Sequence, residues 1–299
     1  MTRARTLVAS IIIVVKNDRG IDQTIAGIYD CAFSGAFEIV VVDSSEPARL
    51  GDIRAKYPDV VWDQYPVSNR RTTPEQRNRG LELARGKYII FIDANCVPAK
   101  TWLSAMVETL QDGKDIVCGP VHDLNETNLV HYAVEQTKAD YVEECTTINV
   151  GLSRRVIEKV GNFDVRFSFG QDVDFFWRTA DVGFRIFYNP LVAIGHDWGS
   201  RGEQLGRAYK YGYARARLFR KHWRRHGRQL LGEVHVWMYP AFILGLPSML
   251  LFELNPLFLL YPLLILVPLL KNRTANPLGL MVHHMTFGWG VLRGAVSRL

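Results

Sequence analysis

The chain has 299 residues, of which 48% are hydrophobic, and it carries a formal net charge of +6. This length exceeds one average domain, so we expect one large domain with an accessory region. The four cysteines are scattered without a CxxC pair, which argues against zinc and disulfide frameworks and favours a reducing compartment. The short apolar run at 7–15 lacks a small-residue cleavage site, so it is typical of a first strand and not of a signal peptide.

Strand and helix patterns alternate through the first half of the chain. Four apolar segments are predicted as strands: 7–15, 37–45, 60–66 and 87–95. The segments between and after them are predicted as helices, the last of which begins at a proline: 20–32, 49–58, 73–85 and 98–111. Short apolar strands joined by helices predict an α/β fold, with a mostly parallel sheet covered by helices on both faces.

Polar side chains end two of these predicted strands. The second strand ends in Asp43, whose carboxylate could accept hydrogen bonds from a ribose or a base, or could cap the next helix. The fourth ends in Asp93 and Asn95, at the end of a parallel strand where ligands bind. These two oxygen donors could hold a divalent cation or form a simple turn. The GxGxxG and GxxxxGK[ST] signatures are absent, so a nucleotide would bind by another scheme.

Two further elements are predicted before residue 200. The segment 169–183 is predicted as an acidic helix, and 184–196 as a strand that ends at His196. Asp172 and Asp174 lie in the first turn of that helix, where the helix dipole favours negative charge whatever the function. A lone histidine is more often structural than a ligand. Taken singly, these residues leave structural and functional roles open.

A dense basic stretch precedes an apolar block. Residues 201–230 contain ten lysines and arginines and a single acid, Glu203. Such a stretch suits a membrane surface, a nucleic acid or a solvated helix face. Because it lies immediately before the apolar block, we expect contact with anionic lipid headgroups and no nucleic-acid partner.

The apolar block holds two candidate membrane segments, 234–252 and 256–270. The first is long enough to span a bilayer, whereas the second is marginal and contains prolines. Basic residues flank the block on both sides, which favours a hairpin or re-entrant pair with both ends in the cytoplasm. A buried soluble hairpin is the alternative. The tail 277–299 mixes Trp289 and two arginines with apolar residues, a pattern typical of a helix lying on the bilayer surface.

Five segments, taken in order, form a recognisable series. They read SIIIVVKN (10–17), EIVVVDSSE (38–46), QRNRGLELARGKYIIFIDAN (76–95), RRVIEKVGNFDVRFSFGQDVDFFWR (154–178) and GFRIFYNPLVAIGH (183–196). The series resembles the nucleotide-sugar glycosyltransferases of family 2, which have the GT-A fold. This resemblance implies a Rossmann-like GT-A domain over 1–230. A membrane-associated helical hairpin and an interfacial C-terminal helix would then follow over 231–299.

The resemblance also assigns roles to individual residues. It places five residues on the nucleotide, with Asp43 facing the base: Val14, Asn17, Asp43, Arg77 and Asp93. Arg201 is a further candidate phosphate contact. Asp172 falls on the catalytic base, and Asp174 is its less favoured substitute. A base of this kind takes the proton from the acceptor hydroxyl as it attacks the sugar.

The metal site implied by the resemblance is held by Asp93, Asn95 and His196, with Mg²⁺ or Mn²⁺ as the cation. Asn95 stands where the family has a second carboxylate, and Gln171 stands where it has an acid before the base. An asparagine still offers a neutral oxygen to these cations. The lost charge nevertheless predicts weaker metal binding than two carboxylates would give.

The function implied by the resemblance is inverting, metal-dependent transfer of a sugar from a nucleotide-diphosphate sugar, with a UDP-sugar favoured. Processive members such as cellulose and hyaluronan synthases carry QxxRW, but here Gln204 and Arg207 are followed by Ala208. We therefore expect a non-processive enzyme. A membrane anchor suggests a lipid-linked saccharide or glycolipid as acceptor, with the catalytic domain on the cytoplasmic side of the cytoplasmic (inner) membrane. The alternatives are a polyprenyl-phosphate sugar synthase and a non-catalytic nucleotide-sugar-binding protein with a degraded site.

Overall fold

The computed structural model describes residues 6–66, 73–125, 138–265 and 277–298. The chain divides into two compact units. Unit 1 comprises Met1–Leu124 and Val134–Asp197, and unit 2 comprises Asn125–Ala133 and Trp198–Leu299. The predicted domain boundary at residue 230 therefore lies inside unit 2, which takes in the whole of the basic stretch.

Unit 1 contains two sheets and the helices that cover them. Its strands are β1 (Leu7–Val15), β2 (Ala36–Asp43), β3 (Val61–Gln64), β4 (Tyr88–Ile92), β5 (Cys96–Pro98), β6 (Ile116–Cys118), β7 (Val121–Asp123), β8 (Asp140–Val142), β9 (Asn149–Ser153), β10 (Ile186–Tyr188) and β11 (Ile194–His196). Its helices are α1 (Ile21–Tyr29), α2 (Gly51–Lys56), α3 (Thr73–Leu83), α4 (Trp102–Gln111), α5 (Arg154–Val160) and α6 (Gln171–Asp181).

The larger sheet has the strand order β3-β2-β1-β4-β9-β6-β10-β8. The four strands β1 to β4 run parallel to one another. Strand β9 is antiparallel to both β4 and β6, so β6 and its parallel neighbour β10 run in the same direction as β4. The smaller sheet has the order β5-β11-β7. This mixed sheet places the carboxyl ends of β1, β2 and β4 side by side at one edge, called the carboxyl edge below.

The core of unit 1 has two layers because successive residues of a strand point to opposite faces. Ile11 and Ile13 of β1 pack in one buried cluster with α1 and α4, whereas Ile12 packs in a second cluster with α3 and α6. Helix α3 approaches β1 closely at Gly80, where an added Cβ atom would lie 2.4 Å from Cγ2 of Ile12. The helices on both faces that the apolar strands predict are therefore present.

Two predicted elements differ from the structure. The helix predicted over 98–111 begins at Trp102, because Pro98 belongs to β5 and pairs with Ile194. The strand predicted over 184–196 is two short strands, β10 in the larger sheet and β11 in the smaller one. Between them the chain turns at Asn189, whose Oδ1 atom accepts the N–H of Leu191 at 2.9 Å. The Asn189-Pro190 pair is a turn signal that the prediction of one continuous strand did not use, and the turn moves the chain from one sheet to the other.

Unit 2 is helical in its described part. Its elements are α7 (Arg201–His226), α8 (Gln229–Gly232), α9 (Val234–Gly245), two 3₁₀ helices (Leu246–Leu251 and Pro256–Ile265) and α10 (Pro277–Ala295). Helix α7 begins with a capping box, in which Ser200 and Glu203 exchange side-chain and backbone hydrogen bonds. Most of the basic stretch is therefore helical from a defined start, with a kink at His222.

Helix α10, predicted to lie on a bilayer, packs closely along α7. A Cβ atom added at Gly212 of α7 would lie 2.0 Å from the carbonyl oxygen of Phe287. One added at Gly290 of α10 would lie 2.1 Å from the carbonyl oxygen of Tyr209. Only glycine permits such backbone contact between helices. On α10, Trp289 is 58% exposed, so the helix combines an internal contact face with an exposed aromatic side chain.

Within the described part of the apolar block, one helical segment, Val234–Leu251, is long and apolar enough to cross a membrane. The second 3₁₀ helix, Pro256–Ile265, folds back on this segment, because Tyr261 stacks on Phe242 with ring centroids 5.4 Å apart. Most large apolar side chains of the block are exposed, Leu250 by 78%. The block is therefore not the buried soluble hairpin considered as an alternative. Residues 266–270 and the basic flank at 271–273 lie outside the described residues.

Candidate active site

The carboxyl edge of the larger sheet brings together the residues that end β1, β2 and β4. Val15 of β1 lies opposite Asp43 of β2, and β1 also pairs with β4, which ends one residue before Asp93. Val14 and Asn17 flank the end of β1. The residues assigned to the nucleotide from these three strands therefore lie at one edge of the sheet, and their binding role stays a prediction.

The turn that follows β1 is held against the turn that follows β2. Asn17 has a positive φ of 60°, a conformation that asparagine tolerates better than most residues. Its backbone N–H donates to Oγ of Ser45 at 2.6 Å. The carboxylate of Asp43 accepts the Ser45 N–H at 2.8 Å and the indole N–H of Trp62 at 3.1 Å. Asp43 thus fixes both the turn and the neighbouring strand.

Asp43 does not cap the helix that follows it. Helix α2 begins at Gly51, and its N-cap residue Leu50 makes no side-chain cap bond. Asp43 is 2% exposed, and each carboxylate oxygen retains a lone pair beyond the bonds described above. Of the two roles left open by the sequence, the capping role is wrong, and acceptance of a ligand hydrogen bond stays a prediction.

Asp93 and Asn95 lie in a turn between β4 and β5 that is clamped from α1. The hydroxyl of Thr24 lies 2.9 Å from the carbonyl oxygen of Ala94, 2.8 Å from that of Cys96, and accepts the Cys96 N–H at 3.0 Å. Thr24 is fully buried. These contacts fix the backbone of the turn. The oxygen-bearing side chains of Asp93 and Asn95 are thereby held in place.

Strand β11 brings His196 beside this turn from a hundred residues away in sequence. His196 pairs with Cys96, directly after Asn95, and is 8% exposed. The side-chain N–H₂ of Asn95 donates to the backbone carbonyl oxygen of Asp197 at 2.7 Å. The backbone N–H of Asp197 donates to the backbone carbonyl oxygen of Asn95 at 3.2 Å. With its nitrogen engaged in this way, Asn95 has its oxygen available for a ligand. Asp93, Asn95 and His196 thus occupy one corner of the carboxyl edge.

A buried arginine connects this corner to α6. Arg77 of α3 is 4% exposed and lies with Nη2 3.4 Å from Oδ1 of Asp93. The side-chain amide of Gln171 can hydrogen-bond with both of its neighbours in one orientation. In that orientation its oxygen accepts from Nη1 of Arg77 and its nitrogen donates to the Ser168 carbonyl oxygen. The side chain of Arg201 lies outside the described residues. Arg77 is therefore the cation that the structure does place at the predicted site.

Asp172 lies in the first turn of helix α6. The helix begins directly after Gly170, which adopts a left-handed conformation with φ of 70°. One carboxylate oxygen of Asp172 accepts the N–H of Val173 at 2.9 Å. Burial raises the pKa of the Asp172 carboxyl, and Asp93 adds to the rise, while Arg77 and the Val173 N–H oppose it. Asp172 is thus a carboxylate with increased basicity near the Arg77–Asp93 pair.

Asp174, two residues further along, has a structural environment. It is fully buried, and Oδ2 accepts from Nε of Arg178 at 3.0 Å. The Arg178 guanidinium also donates to the carbonyl oxygens of Val160 and Asn162, both at 2.8 Å. Asp174 therefore anchors the turn before α6 through Arg178, which disfavours the substitute role considered from the sequence.

Residues adjacent to Arg77 position the site and were missed in the sequence. The amide nitrogen of Gln76 donates to the carbonyl oxygens of Val15 and Val42 at 3.2 and 3.1 Å, near the ends of β1 and β2. The Asn78 side chain donates to and accepts from the backbone of Phe163 at 3.0 and 2.9 Å. Three consecutive side chains of α3 thus contact three parts of the site. The QRN segment at 76–78 was quoted for its resemblance, and it is the signal that could have found them.

The residues present fit a divalent cation held jointly with a diphosphate better than one held by the protein alone. Among the described residues, no three His, Cys, Asp or Glu side chains are grouped so as to hold a metal ion. The predicted set contains one carboxylate, Asp93, the amide oxygen of Asn95 and the imidazole of His196. Mg²⁺ commonly binds through one or two carboxylates together with substrate phosphates and water.

The model of the family described as Glycosyl transferase family 2 matches residues 10–179, more than half of the chain. The chain is 24% identical over 202 residues to the pre-mycofactocin glycosyltransferase of Mycobacterium tuberculosis, covering 62% of this chain and 43% of that protein. It is 23% identical over 258 residues to glycosyltransferase AglE of Haloferax volcanii, covering 80% and 76%. The chain therefore spans less than half the length of the first of these relatives.

Solved structures share the fold at low sequence identity. Mannosyltransferase PcManGT from Pyrobaculum calidifontis, in complex with GDP-Man and Mn²⁺, has a TM-score of 0.71 and 16% identity over 98% of this chain and 90% of that one. TarS 1–349 of S. aureus, in complex with UDP, has a TM-score of 0.57 and 16% identity, covering 74% and 72%. At such identities the likeness shows the fold alone, and the predicted GT-A fold is confirmed.

Proposed function

The chain belongs to glycosyl transferase family 2, and on that premise we propose that it transfers one sugar from a nucleotide-diphosphate sugar to a hydroxyl group. The acceptor in this proposal is a lipid-linked saccharide or glycolipid, and the reaction inverts the anomeric centre without processive elongation. The observation that carries the proposal is the meeting of Asp172, Arg77 and Asp93 at the carboxyl edge. It supplies a base, a buried cation and a metal-binding carboxylate within one site.

Asp172 acts as the general base in this proposal. A carboxylate becomes a stronger base as its pKa rises, and burial raises the pKa of Asp172. The charge of Arg77 opposes this rise in the pKa of Asp172 and so favours the ionised form. A phosphate acceptor is already ionised and needs no such base. The environment of Asp172 therefore favours a hydroxyl acceptor over the polyprenyl-phosphate alternative, and a catalytic protein over a degraded binding site.

The nucleotide lies at the ends of β1 and β2 in this proposal. Asp43 accepts hydrogen bonds from the base, and Val14 and Asn17 line the same edge. Arg77 and Asp93 lie toward the diphosphate, where the buried guanidinium supplies positive charge. A UDP-sugar is the first donor to test, and a GDP-sugar is the second because the Pyrobaculum mannosyltransferase is in complex with GDP-Man.

Asp93 and Asn95 would hold Mg²⁺ or Mn²⁺ together with the diphosphate, and His196 would lie beside the metal or the diphosphate. The cation would stabilise negative charge on the leaving diphosphate. Asn95 contributes a neutral oxygen, so we expect the protein alone to bind the metal weakly. Metal affinity should therefore increase when the nucleotide-sugar is present.

The membrane is the proposed location of the acceptor. Val234–Leu251 is long and apolar enough to enter a bilayer, and the large apolar side chains around it are exposed. Helix α7 supplies basic residues that would meet anionic headgroups on the cytoplasmic side. A transferase confined to this surface of the cytoplasmic membrane would meet acceptors carried by lipids.

Turnover of a panel of UDP-, GDP- and TDP-sugars tests the proposal, with full-length protein in detergent, Mn²⁺ and a membrane lipid extract as acceptor. Wild type is compared with Asp172→Asn and with the control Asp59→Asn, which changes an exposed aspartate. We expect transfer from one donor, reduced about 10²- to 10⁴-fold by Asp172→Asn and unchanged by Asp59→Asn. Donor binding without transfer by wild type would favour the non-catalytic alternative. Equal turnover by both variants would exclude Asp172 as the base.

A further inference from the structure

A cavity in unit 1 lies away from the candidate active site and has a different chemistry. Its volume is about 350 Å³, and its lining includes four cationic side chains and two aromatic rings: Lys114, Arg155, Lys159, Arg185, Tyr141 and Phe184. The tight turns at Gly113 and Gly183, both with positive φ, complete its rim. We call this cavity the basic pocket.

The basic pocket lies at the sheet edge opposite the carboxyl edge. Lys114 and Asp115 precede β6, and Arg185 precedes β10, and both strands run in the direction of β4. The starts of β6 and β10 therefore lie at the opposite end of the sheet from Asp93. At about 3.3 Å per residue, a strand of this sheet separates the two edges by roughly 15 Å. The basic pocket is thus not a part of the donor site.

The positive charge of the basic pocket is largely uncompensated. The one acid in its lining, Asp115, is engaged by Arg155 and accepts from the Ser153 hydroxyl at 2.7 Å. Within the described part of the chain, Lys114, Lys159 and Arg185 form no salt bridge. Grouping like charges costs free energy that an ordinary solvated surface avoids by mixing signs. An anionic ligand would remove this cost.

Aromatic rings hold the cations of the basic pocket in place. Tyr141 contacts two of them: Cζ of Arg185 lies 3.6 Å from its ring centroid, and Nζ of Lys114 donates to its hydroxyl at 3.1 Å. Phe184 lies between the other two, with Cζ of Arg155 at 5.6 Å and Nζ of Lys159 at 5.7 Å. Stacking on a ring leaves the N–H groups of a guanidinium free for hydrogen bonds around its edge. The rings therefore reduce the conformational entropy that ligand binding would cost.

From these contacts we propose that the basic pocket binds a phosphate-bearing ligand at a site separate from catalysis. Phosphate carries more charge than a carboxylate and accepts several hydrogen bonds, which suits two arginines and two lysines around one cavity. The phosphate belongs either to a soluble phosphate ester or to a phospholipid headgroup. This inference does not depend on the proposed function, because it uses none of the residues of the candidate active site.

Calorimetric titration of the full-length protein with inorganic pyrophosphate in metal-free buffer tests the site. Wild type is compared with Lys159→Gln/Arg185→Gln and with Arg54→Gln/Lys100→Gln, a control that removes two exposed cations elsewhere on unit 1. We expect the pocket variant to bind at least about tenfold more weakly, and the control within about twofold of wild type. Melting temperatures of all three proteins check that each is folded.

A second arm distinguishes the two sources of phosphate by cosedimentation with phosphatidylcholine vesicles that contain or lack phosphatidylglycerol. Binding of pyrophosphate that the pocket variant loses indicates a soluble phosphate ester. Binding of anionic vesicles that the pocket variant loses indicates a lipid headgroup. The proposal is overturned if the pocket variant matches wild type in both arms, or if the control variant loses as much binding as the pocket variant.

Discussion

Acidic side chains at the two edges of the larger sheet have opposite hydrogen-bonding environments. At the carboxyl edge, Nη2 of the buried Arg77 lies 3.4 Å from Oδ1 of Asp93, and its charge opposes the rise in the pKa of Asp172. At the opposite edge, Glu38 accepts from the Ser10 hydroxyl at 2.6 Å and from the backbone N–H of Arg85 at 2.7 Å. The Arg85 guanidinium adds bonds at 2.9 and 2.6 Å.

The difference shows how a structural carboxylate can be distinguished from a functional one. Burial alone raises the pKa of Glu38, but its hydrogen bonds to Ser10 and Arg85 outweigh burial, and the pKa is lowered. Burial also raises the pKa of Asp172, and there the opposing contacts are too few to reverse it. The number of donors around a buried carboxylate therefore indicates whether it stabilises the fold or is available for chemistry.

The largest expected change in stability comes from Glu38→Gln. Each Glu38 oxygen accepts two hydrogen bonds. In Glu38→Gln an N–H₂ group replaces one of these oxygens, so donors would face donors at that position. We expect the free energy of unfolding to fall by about 2–4 kcal/mol, while transfer per folded molecule stays unchanged. Denaturant unfolding of this variant, wild type and the exposed control Glu46→Gln measures the change. A loss of activity without a loss of stability would contradict the structural role.

The same substitution has a pH signature. The lowered pKa of Glu38 contributes stability that is present above the usual glutamate range and is lost as pH falls through the folded-state pKa. The stability of Glu38→Gln should therefore fall less than that of wild type on acidification. Parallel unfolding curves from neutral to acidic pH show whether the two proteins converge as expected.

Asp174→Asn tests whether the carboxyl edge also contains a structural acid. Removing the negative charge leaves Arg178 with carbonyl partners only, so we expect about 1–3 kcal/mol of lost stability. Turnover below the melting temperature should stay near wild type, whereas Asp172→Asn should show the reverse pattern. Thermal unfolding and initial rates of both variants decide the assignment. Equal loss of turnover in the two would remove the distinction between them.

The smallest expected effect comes from Gln171→Glu, which places a second acid beside Arg77 and near Asp172. The new carboxylate would take part of the positive charge of Arg77 and repel an ionised Asp172. Because the proposed mechanism requires ionised Asp172, we expect the rate to fall as pH drops through its raised pKa. We expect the acidic limb of kcat/KM to move upward by about 0.5–1 pH unit in the variant. An unchanged or downward-shifted limb would show that Arg77 does not link Gln171 to Asp172.

The sequence predicted the elements that depend on local pattern. Apolar runs identified β1, β2 and β4, and their polar ends identified Asp43 and Asp93. The strands lie where the pattern predicted them, and their parallel arrangement brings Asp43 and Asp93 to one edge, while the binding roles of both stay predictions. The prediction of one strand over 184–196 was wrong because it passed over the turn signal of Asn189-Pro190, where the structure has a turn.

Only the tertiary structure shows the contacts that give Asp174 a structural environment, while the role of Asp172 as the base stays a prediction. Residues two apart on a helix lie about 200° apart around its axis, so the two acids face opposite sides. The sequence shows their spacing, but Arg178 and the turn at Val160–Asn162 exist only in the folded chain. Sequence pattern favoured one acid, and burial with an arginine gives the other a structural role.

The sequence by itself determined the type of fold, the order of the motifs and the sign of the charge before the apolar block. Each of these follows from neighbouring residues, whose spacing fixes local conformation and pattern. The tertiary structure alone decided that Arg77 is buried between Asp93 and Gln171, that His196 lies beside Asn95, and that cations gather at the opposite edge. These are contacts between distant segments, and their distances are set by packing, which no local pattern encodes.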